Sequence, residues 1–213
     1  MTLKIDLHVH TCYSPDSLIT PDELVLYAKK RDLDGVAITD HGRIDSALKI
    51  AKEKDFFIIP GIEIECSNGH VLGLGLQEAV PQKLTTDETV ERIHKAGGIA
   101  IACHPTAFLK GKLRNYANSK FDAVEVINAS VLPFDHSVKS SQRIASKLGV
   151  ASVAGSDAHY GPEIGYAYTL IDAELEVDDI VKAISEGMCQ PFGSAIPIRT
   201  RLKRELLALK KRF

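Results

Sequence analysis

Short apolar runs, many of them β-branched, alternate along this chain with stretches of helical spacing, and that exchange limits the folds open to it. The runs are Leu3 to Val9, Gly35 to Thr39, Phe56 to Ile64, Ile99 to Cys103, Ala123 to Ile127, Val150 to Ala154 and Ala167 to Ile171. Each has strand length, and nearly continuous apolar character marks strands covered on both faces. Between them, Thr20-Pro21-Asp22-Glu23 has the pattern of a helix start, with Thr20 as cap, Pro21 in the first turn and Glu23 closing a capping box. Gly35 is expected just past that helix. A second start at Thr85-Thr86-Asp87-Glu88 leads a helix carrying Val90, Ile93 and Ala96 to a stop at Gly97-Gly98. Strand and helix in alternation predict a parallel sheet under helices, either an open doubly wound sheet or a closed barrel. One join differs: Glu63 to Cys66 and Val71 to Leu74 flank Ser67-Asn68-Gly69-His70, which predicts a β-hairpin.

A chain of 213 residues with 45% hydrophobic and 25% charged residues, 15 Gly and 9 Pro is ordinary for a globular domain. Fibrous and disordered classes are thereby excluded. No apolar run nears the roughly 20 residues that span a bilayer, and Thr2-Leu3-Lys4-Ile5-Asp6 lacks the basic-then-apolar layout of a signal peptide. The expected setting is the cytoplasm, away from membranes. Cys12, Cys66, Cys103 and Cys189 are widely spaced, unlike a disulfide framework or a zinc finger, and are expected as reduced thiols. Net charge is −2, but seven Lys or Arg against Glu205 give residues 199–213 a formal +6, leaving −8 on the rest. We therefore divide the chain into one barrel or sheet domain, 1–198, and a basic helical tail, 199–213. The tail puts Leu202, Leu206, Leu209 and Phe213 on one stripe suited to docking on the body or a partner. Its charge points to a polyanion such as nucleic acid.

Chemistry collects where the apolar runs stop. In Asp6-Leu7-His8-Val9-His10 the two imidazoles share one face of a strand, a chelating geometry. Thr39-Asp40-His41, Pro60-Gly61-Ile62-Glu63, Cys103-His104-Pro105 and Gly155-Ser156-Asp157-Ala158-His159 end four further runs. In a β/α barrel these ends meet at one rim, which favours the barrel over the open sheet. Imidazole with carboxylate suits Zn, Mn or Fe in a catalytic site, and a carboxylate such as Glu63 can bridge two ions. Taken singly, each group has an ordinary explanation: H-x-H as a polar strand end, Glu63 as a loop cap, His104-Pro105 as a turn. Their joint occurrence at successive strand ends has none. His94 and His136 read as helix-surface residues, Cys103 as a small core residue pointing away from His104, and Tyr13, Tyr160 and Tyr166 as pocket walls or packed aromatics.

These motifs resemble, in order, those of the PHP (polymerase and histidinol phosphatase) family: His8-Val9-His10-Thr11 with Ser14-Pro15-Asp16, then Thr39-Asp40-His41, Pro60-Gly61-Ile62-Glu63, His104-Pro105 and Gly155-Ser156-Asp157-Ala158-His159. The match runs from Leu3 to Gly193. The resemblance implies a distorted (β/α)7 TIM-like barrel with two or three divalent metal ions at the strands' carboxyl ends. It implies His8, His10, Glu63 and Asp157 around one ion, Glu63 bridging to a second held by His70 and His104, and Asp16, His41 and His159 around a third. Asp16 departs from members with histidine there. Asp40 is expected to orient a ligand histidine without binding metal.

The implied activity is metal-dependent hydrolysis of phosphate esters, by hydroxide held between ions, with Glu63, Asp157 and His159 catalytic and His159 able to protonate the leaving oxygen. Arg43, Lys110 and Asn128 follow strand ends and are candidates to hold a second phosphate or a sugar. Nucleotides or the 5′ ends of short oligonucleotides are the favoured substrates, because of the basic tail. The alternatives are a phosphatase of a small monoester such as a histidinol-phosphate-like compound, a non-catalytic metal-binding module, or another metallohydrolase acting on acyl substrates.

Overall fold

The computed structural model describes residues 1–107 and 119–211. Nine strands form one mixed sheet in the order β7, β6, β5, β4, β3, β2, β1, β8, β9, where β1 is Thr2–Val9, β2 Gly35–Ile38, β3 Phe57–Cys66, β4 Gly69–Leu74, β5 Ile99–Ala102, β6 Ala123–Asn128, β7 Ala151–Gly155, β8 Ala167–Asp172 and β9 Cys189–Gly193. The architecture is α/β, with the sheet curled into a nearly closed barrel. β1, β2 and β3 run parallel, as do β5, β6 and β7. The predicted hairpin is β3 and β4, paired from Gly61–Leu74 to Cys66–Gly69, and it splits the two parallel sets. β8 pairs antiparallel with β1, and β9 antiparallel with β8. The sheet is thus mixed where the alternation predicted it parallel, and β9 was not anticipated.

A seam remains between β7 and β1/β8, and side chains and single bonds close it. Buried Thr169 on β8 accepts from Ala154 N (2.9 Å) and donates to Ala154 O (3.0 Å) on β7. Past the strand ends, His10 N donates to Ala158 O (3.0 Å) and Asp157 N to His8 O (2.8 Å). These bonds tie the segment after β7 to the end of β1.

Helices cover the outside. α1 (Pro21–Lys30) and α3 (Thr86–Lys95) both start with the expected capping boxes, Thr20 with Glu23 and Thr85 with Glu88. Gly35 does not end α1. Asp32 makes the left-handed turn at φ 52°, while Gly35 opens β2, where a Cβ would stand 2.8 Å from the Phe57 ring. α2 (Asp45–Glu53) and α4 (Phe134–Leu148) complete the outer layer. Inside the barrel, Leu3, Ile5, Ala37, Ile59, Leu74, Ile101, Ala123 and Val153 form one apolar cluster with Ile180, Ala183 and Ile184 of α5 (Val177–Ser185). Leu3, Ile5, Ile59 and Ala123 of this cluster lie toward the amino ends of β1, β3 and β6, so α5 plugs the end opposite the histidines. Each buried isoleucine contributes about 1.5–3 kcal/mol by leaving water.

The tail forms α6 (Ile198–Lys211), and of the two places expected for its leucine stripe, the body is not the one it meets. Arg201 binds the carbonyls of Ala129, Ser130 and Ile196 at 2.6–2.9 Å, and Arg204 pairs with buried Glu163 at 3.3 Å. Leu202, Leu206 and Leu209 face solvent, 57%, 61% and 52% exposed, so the polar face of α6 holds the barrel rim. Phe213 lies outside the described residues. No helix among the described residues is long and apolar enough to cross a membrane.

Candidate metal centre

The pairing of β1 with β2 shifts register between Asp6 and Val9. Beyond the shift, both rings of the H-x-H pair lie inside the barrel mouth, fully buried. His8 Nδ1 is 3.0 Å from Glu125 Oε1, so it carries the proton and leaves Nε2 bare. His10 Nδ1 is 3.3 Å from Ser14 Oγ. That hydroxyl donates to Asp40 Oδ1 (2.8 Å), so it accepts from His10, whose Nε2 is also bare. The two Nε2 atoms face each other at 3.1 Å. Two lone pairs at that distance call for a shared cation or a proton.

Glu63 stands between this pair and the hairpin. On β3 it follows Ile59 and Gly61 on the inward face, and it is 2% exposed. Its Oε2 is 3.1 Å from His10 Nε2, 3.5 Å from His8 Nε2 and 3.2 Å from His41 Nδ1. Its Oε1 is 2.7 Å from His70 Nδ1 and 3.0 Å from His104 Nε2. Each oxygen therefore serves its own group of imidazoles. Asp157 Oδ1 reaches His8 and His10 Nε2 at 3.5 and 3.4 Å, opposite Glu63. Toward the open side, Asp16 Oδ2 is 3.4 Å from Nε2 of both His41 and His159. His159 Nδ1 points at Asp157 O (3.0 Å), which frees its Nε2 for the centre.

Local backbone geometry serves these placements. His104 and Asp157 both adopt positive φ, 32° and 53°, a conformation L-residues hold only when the surroundings enforce it. His104 is turned out of strand alternation in this way, so Cys103 and His104 do not point apart as expected. Cys103 Sγ lies 3.8 Å from Glu63 Oε1, and burial, reinforced by Glu63 and Glu125, pushes its thiol well up, so it stays protonated. Gly155 is required: a Cβ there would lie 2.4 Å from His8 Cβ and 2.9 Å from Glu125 Oε1.

The supporting carboxylates are where sequence reasoning fell short. Glu125 was missed, although it is the one acid in the apolar run Ala123 to Ile127; it holds His8 Nδ1, His104 N (2.8 Å) and Asn128 Nδ2 (3.0 Å). Asp40 touches no imidazole directly. It binds Thr11, Ser14 and Ser46 and orients His10 through Ser14, which also receives His41 N at 3.0 Å. Glu163 was missed too: it accepts from His159 N (3.0 Å) and Tyr160 N (3.1 Å) while pairing with Arg204, so α6 is linked to the His159 end of the centre.

Three residues were expected to meet substrate. Asn128 is 4% exposed and gives its amide to Glu125 and to Asp157 Oδ2 (3.3 Å), which places it underneath the centre as a positioning residue. Arg43 is bidentate to Asp45 at 2.9 and 2.5 Å and lies over the Tyr13 ring. Lys110 lies outside the described residues. His94 pairs with Asp122 at 2.8 Å and His136 is exposed on α4, and neither belongs to the clustered donor groups.

Electrostatics agree with a cation site. Burial lifts the Glu63 carboxyl, but in the metal-free protein, where protons occupy the facing imidazole nitrogens, hydrogen bonds from His10, His104, His70 and His8 overcome it and hold the group well below the usual range. Burial also opposes charge on His10, yet Asp157 and Glu63 raise it to about 9. Four sets of donor atoms lie within 4.8 Å of one another: His10/His41/His159, His8/His10/Glu63, His8/His104/Asp157 and Glu63/Cys103/His104. Buried His104 Nδ1 has no hydrogen-bond partner among the described residues. This donor set fits divalent metal.

Beside the centre lies a cavity of about 450 Å³, lined on one side by Asp16, Leu18 and His159 and on the other by Arg204 and Ala208 of α6. Its size suits a small ligand.

The PHP-associated family profile PHP_C matches residues 136–189. An uncharacterized protein of Methanocaldococcus jannaschii is 38% identical over 141 residues, which span 60% of this chain and 82% of that protein. A two-domain protein from Bacteroides vulgatus, containing a predicted PHP-like metal-dependent phosphoesterase, superposes with a TM-score of 0.74 at 19% identity, over 96% of this chain and 69% of the other. The chain therefore has a PHP-like fold, and a quarter of it matches a PHP-associated profile. A shorter match, 36% identical over 89 residues, covers 38% of this chain and 32% of a Haemophilus influenzae protein named 5'-3' exoribonuclease. The profile takes in most of α4, β7 and the Asp157-Ala158-His159 segment, while His8, His10, His41, His70 and His104 lie before it.

Proposed function

We propose that this protein is a metal-dependent phosphoesterase that acts on nucleotides or on the 5′ ends of short oligonucleotides. The observation that carries the reading is Glu63, whose Oε1 faces His70 and His104 and whose Oε2 faces His8, His10 and His41. A carboxylate so placed is built to bridge two ions of Mn, Zn or Fe. The proposed ligands are His8, His10, Glu63 and Asp157 for one ion, Glu63, His70 and His104 for the second, and Asp16, His41 and His159 for a third. Bound there, divalent ions would acidify water and neutralise charge gathering on phosphoryl oxygens.

The chain's own residues supply the rest. Glu125 and Ser14 fix the tautomers of His8 and His10, so that both present bare Nε2 atoms. His159, with its Nδ1 committed to a carbonyl, has Nε2 free to ligate or to hold the proton for the leaving oxygen. Arg43 would meet a phosphate only by leaving Asp45. The exoribonuclease relative and the basic α6 support oligonucleotides. The small cavity beside α6 favours a second reading, a small phosphate monoester.

The deciding assay is a time course of the Mn-loaded protein on a 5′-phosphorylated RNA. Stepwise release of mononucleotides is expected, release of inorganic phosphate alone would select the monoester reading, and neither product would contradict the proposal. Glu63→Gln should abolish turnover while keeping the wild-type circular dichroism, and a variant that retains most activity would remove the bridging role.

A further inference from the structure

The inward face of α4 is small and polar: Ser137, Ser141 and Ala145 are buried, and Thr106 bonds both serine hydroxyls (2.8 and 3.1 Å). Two residues on, and so on the opposite face, Lys139, Arg143 and Lys147 repeat at intervals of four, all exposed. Exposed Gln142 and Ser146 lie beside them, and together these five line a shallow depression of about 460 Å³. Lys49, Lys54 and Lys182, by contrast, are ion-paired with Glu53, Asp22 and Glu186. Lys139, Arg143 and Lys147 have no acidic partner among the described residues. They stand on a body that carries a formal −8 outside the tail, so the general field of the molecule does not account for them.

We infer that this face of α4 is a docking track for the sugar-phosphate backbone of single-stranded nucleic acid. The inference rests on the phosphoesterase reading for the fate of the strand, not for its binding. Successive cations are about 6 Å apart along the axis, close enough to meet consecutive phosphates of an extended strand, and the neutral amide and hydroxyl between them offer hydrogen bonds without repulsion. Position relates the track to the centre. β6 ends at Asn128, beneath the metal ligands, and the loop that follows enters α4, so the track starts at the rim and leads down the barrel wall. Arg201 of α6 grips that same loop through the Ala129 and Ser130 carbonyls. A strand with its 5′ end in the centre would continue along α4.

The test compares wild type with K139Q/R143Q/K147Q, both Mn-loaded, by fluorescence anisotropy on a labelled single-stranded RNA with phosphorothioate linkages that resist cleavage. Glutamine keeps helix propensity, so the fold should persist. We expect at least tenfold weaker binding at low salt, and a plot of log affinity against log salt shallower by about 2, at roughly 0.7 for each phosphate that the variant leaves unneutralised. The charge-conserving K139R/R143K/K147R should bind as wild type does. Equal affinity and slope for wild type and the glutamine variant would overturn the inference, as would a wild type with no salt-dependent binding. Turnover of a small phosphate ester, measured in parallel, should be unchanged by the glutamine variant; its absence in wild type would sink the phosphoesterase reading and leave the binding result standing.

Discussion

At the scale of the residue, the centre depends on which nitrogen of each imidazole is bare, and buried carboxylates and a hydroxyl decide it. The strand-end histidines were legible in the sequence because each interrupts an apolar run at its end. Glu125 was not, since a lone acid inside a run of strand residues does not say which ring it backs until β1 and β6 are brought together. Gly155 was silent for the same reason. A pH dependence follows from His10, whose value in the metal-free protein rises to about 9. Its charged form is favoured by the fold, so it stabilises the metal-free protein fully below about 6.5, and that stability is lost as pH rises through 9. Metal ligation needs the neutral ring, so affinity moves the other way, gaining up to about 1.4 kcal/mol per pH unit for each proton displaced. The increase in melting temperature caused by Mn should therefore grow between pH 6.5 and 8.5. A shift independent of pH would mean that the metal does not displace the His10 proton.

At the scale of the element, the capped helices and the β3–β4 hairpin could be read because caps and turns are local chemistry. Strand direction could not: the apolar run Ala167 to Ile171 has the same pattern whether β8 lies parallel or antiparallel. α6 is the instructive case. Its leucine spacing suggested apolar docking on the body or a partner, but on the body Arg201 and Arg204 meet the Ala129 and Ser130 carbonyls and buried Glu163 at the rim, and charge-assisted bonds to these partners outweigh a stripe that water tolerates. Glu163 also holds the backbone of His159, so α6 reaches the centre through one carboxylate. Arg204→Ala would leave Glu163 buried without its cation, at a cost of about 3 kcal/mol. Turnover of a small phosphate ester should fall several-fold, whereas a tail serving only to attract polyanions would leave it unchanged. Steady-state kinetics of the Mn-loaded variant decide between the two.

At the scale of the whole molecule, closing the sheet turns motifs spread from His8 to His159 into one centre. The inner apolar cluster and α5 fill the closed end, the clustered histidines and carboxylates fill the other, and Thr169 with the Asp157 and His10 backbone bonds seals the seam between them. The sequence pointed to a barrel only through the convergence its ligands required; the apolar pattern fitted an open sheet equally well. The central claim is that this convergence holds metal on both sides of Glu63. Anomalous diffraction at the manganese edge, from crystals soaked in Mn, tests it most directly. The account predicts at least two anomalous peaks, one among His8, His10 and Asp157 and one beside His70 and His104, with Glu63 between them. No peak at the barrel mouth, or a single peak leaving either Glu63 oxygen without a metal, would contradict it.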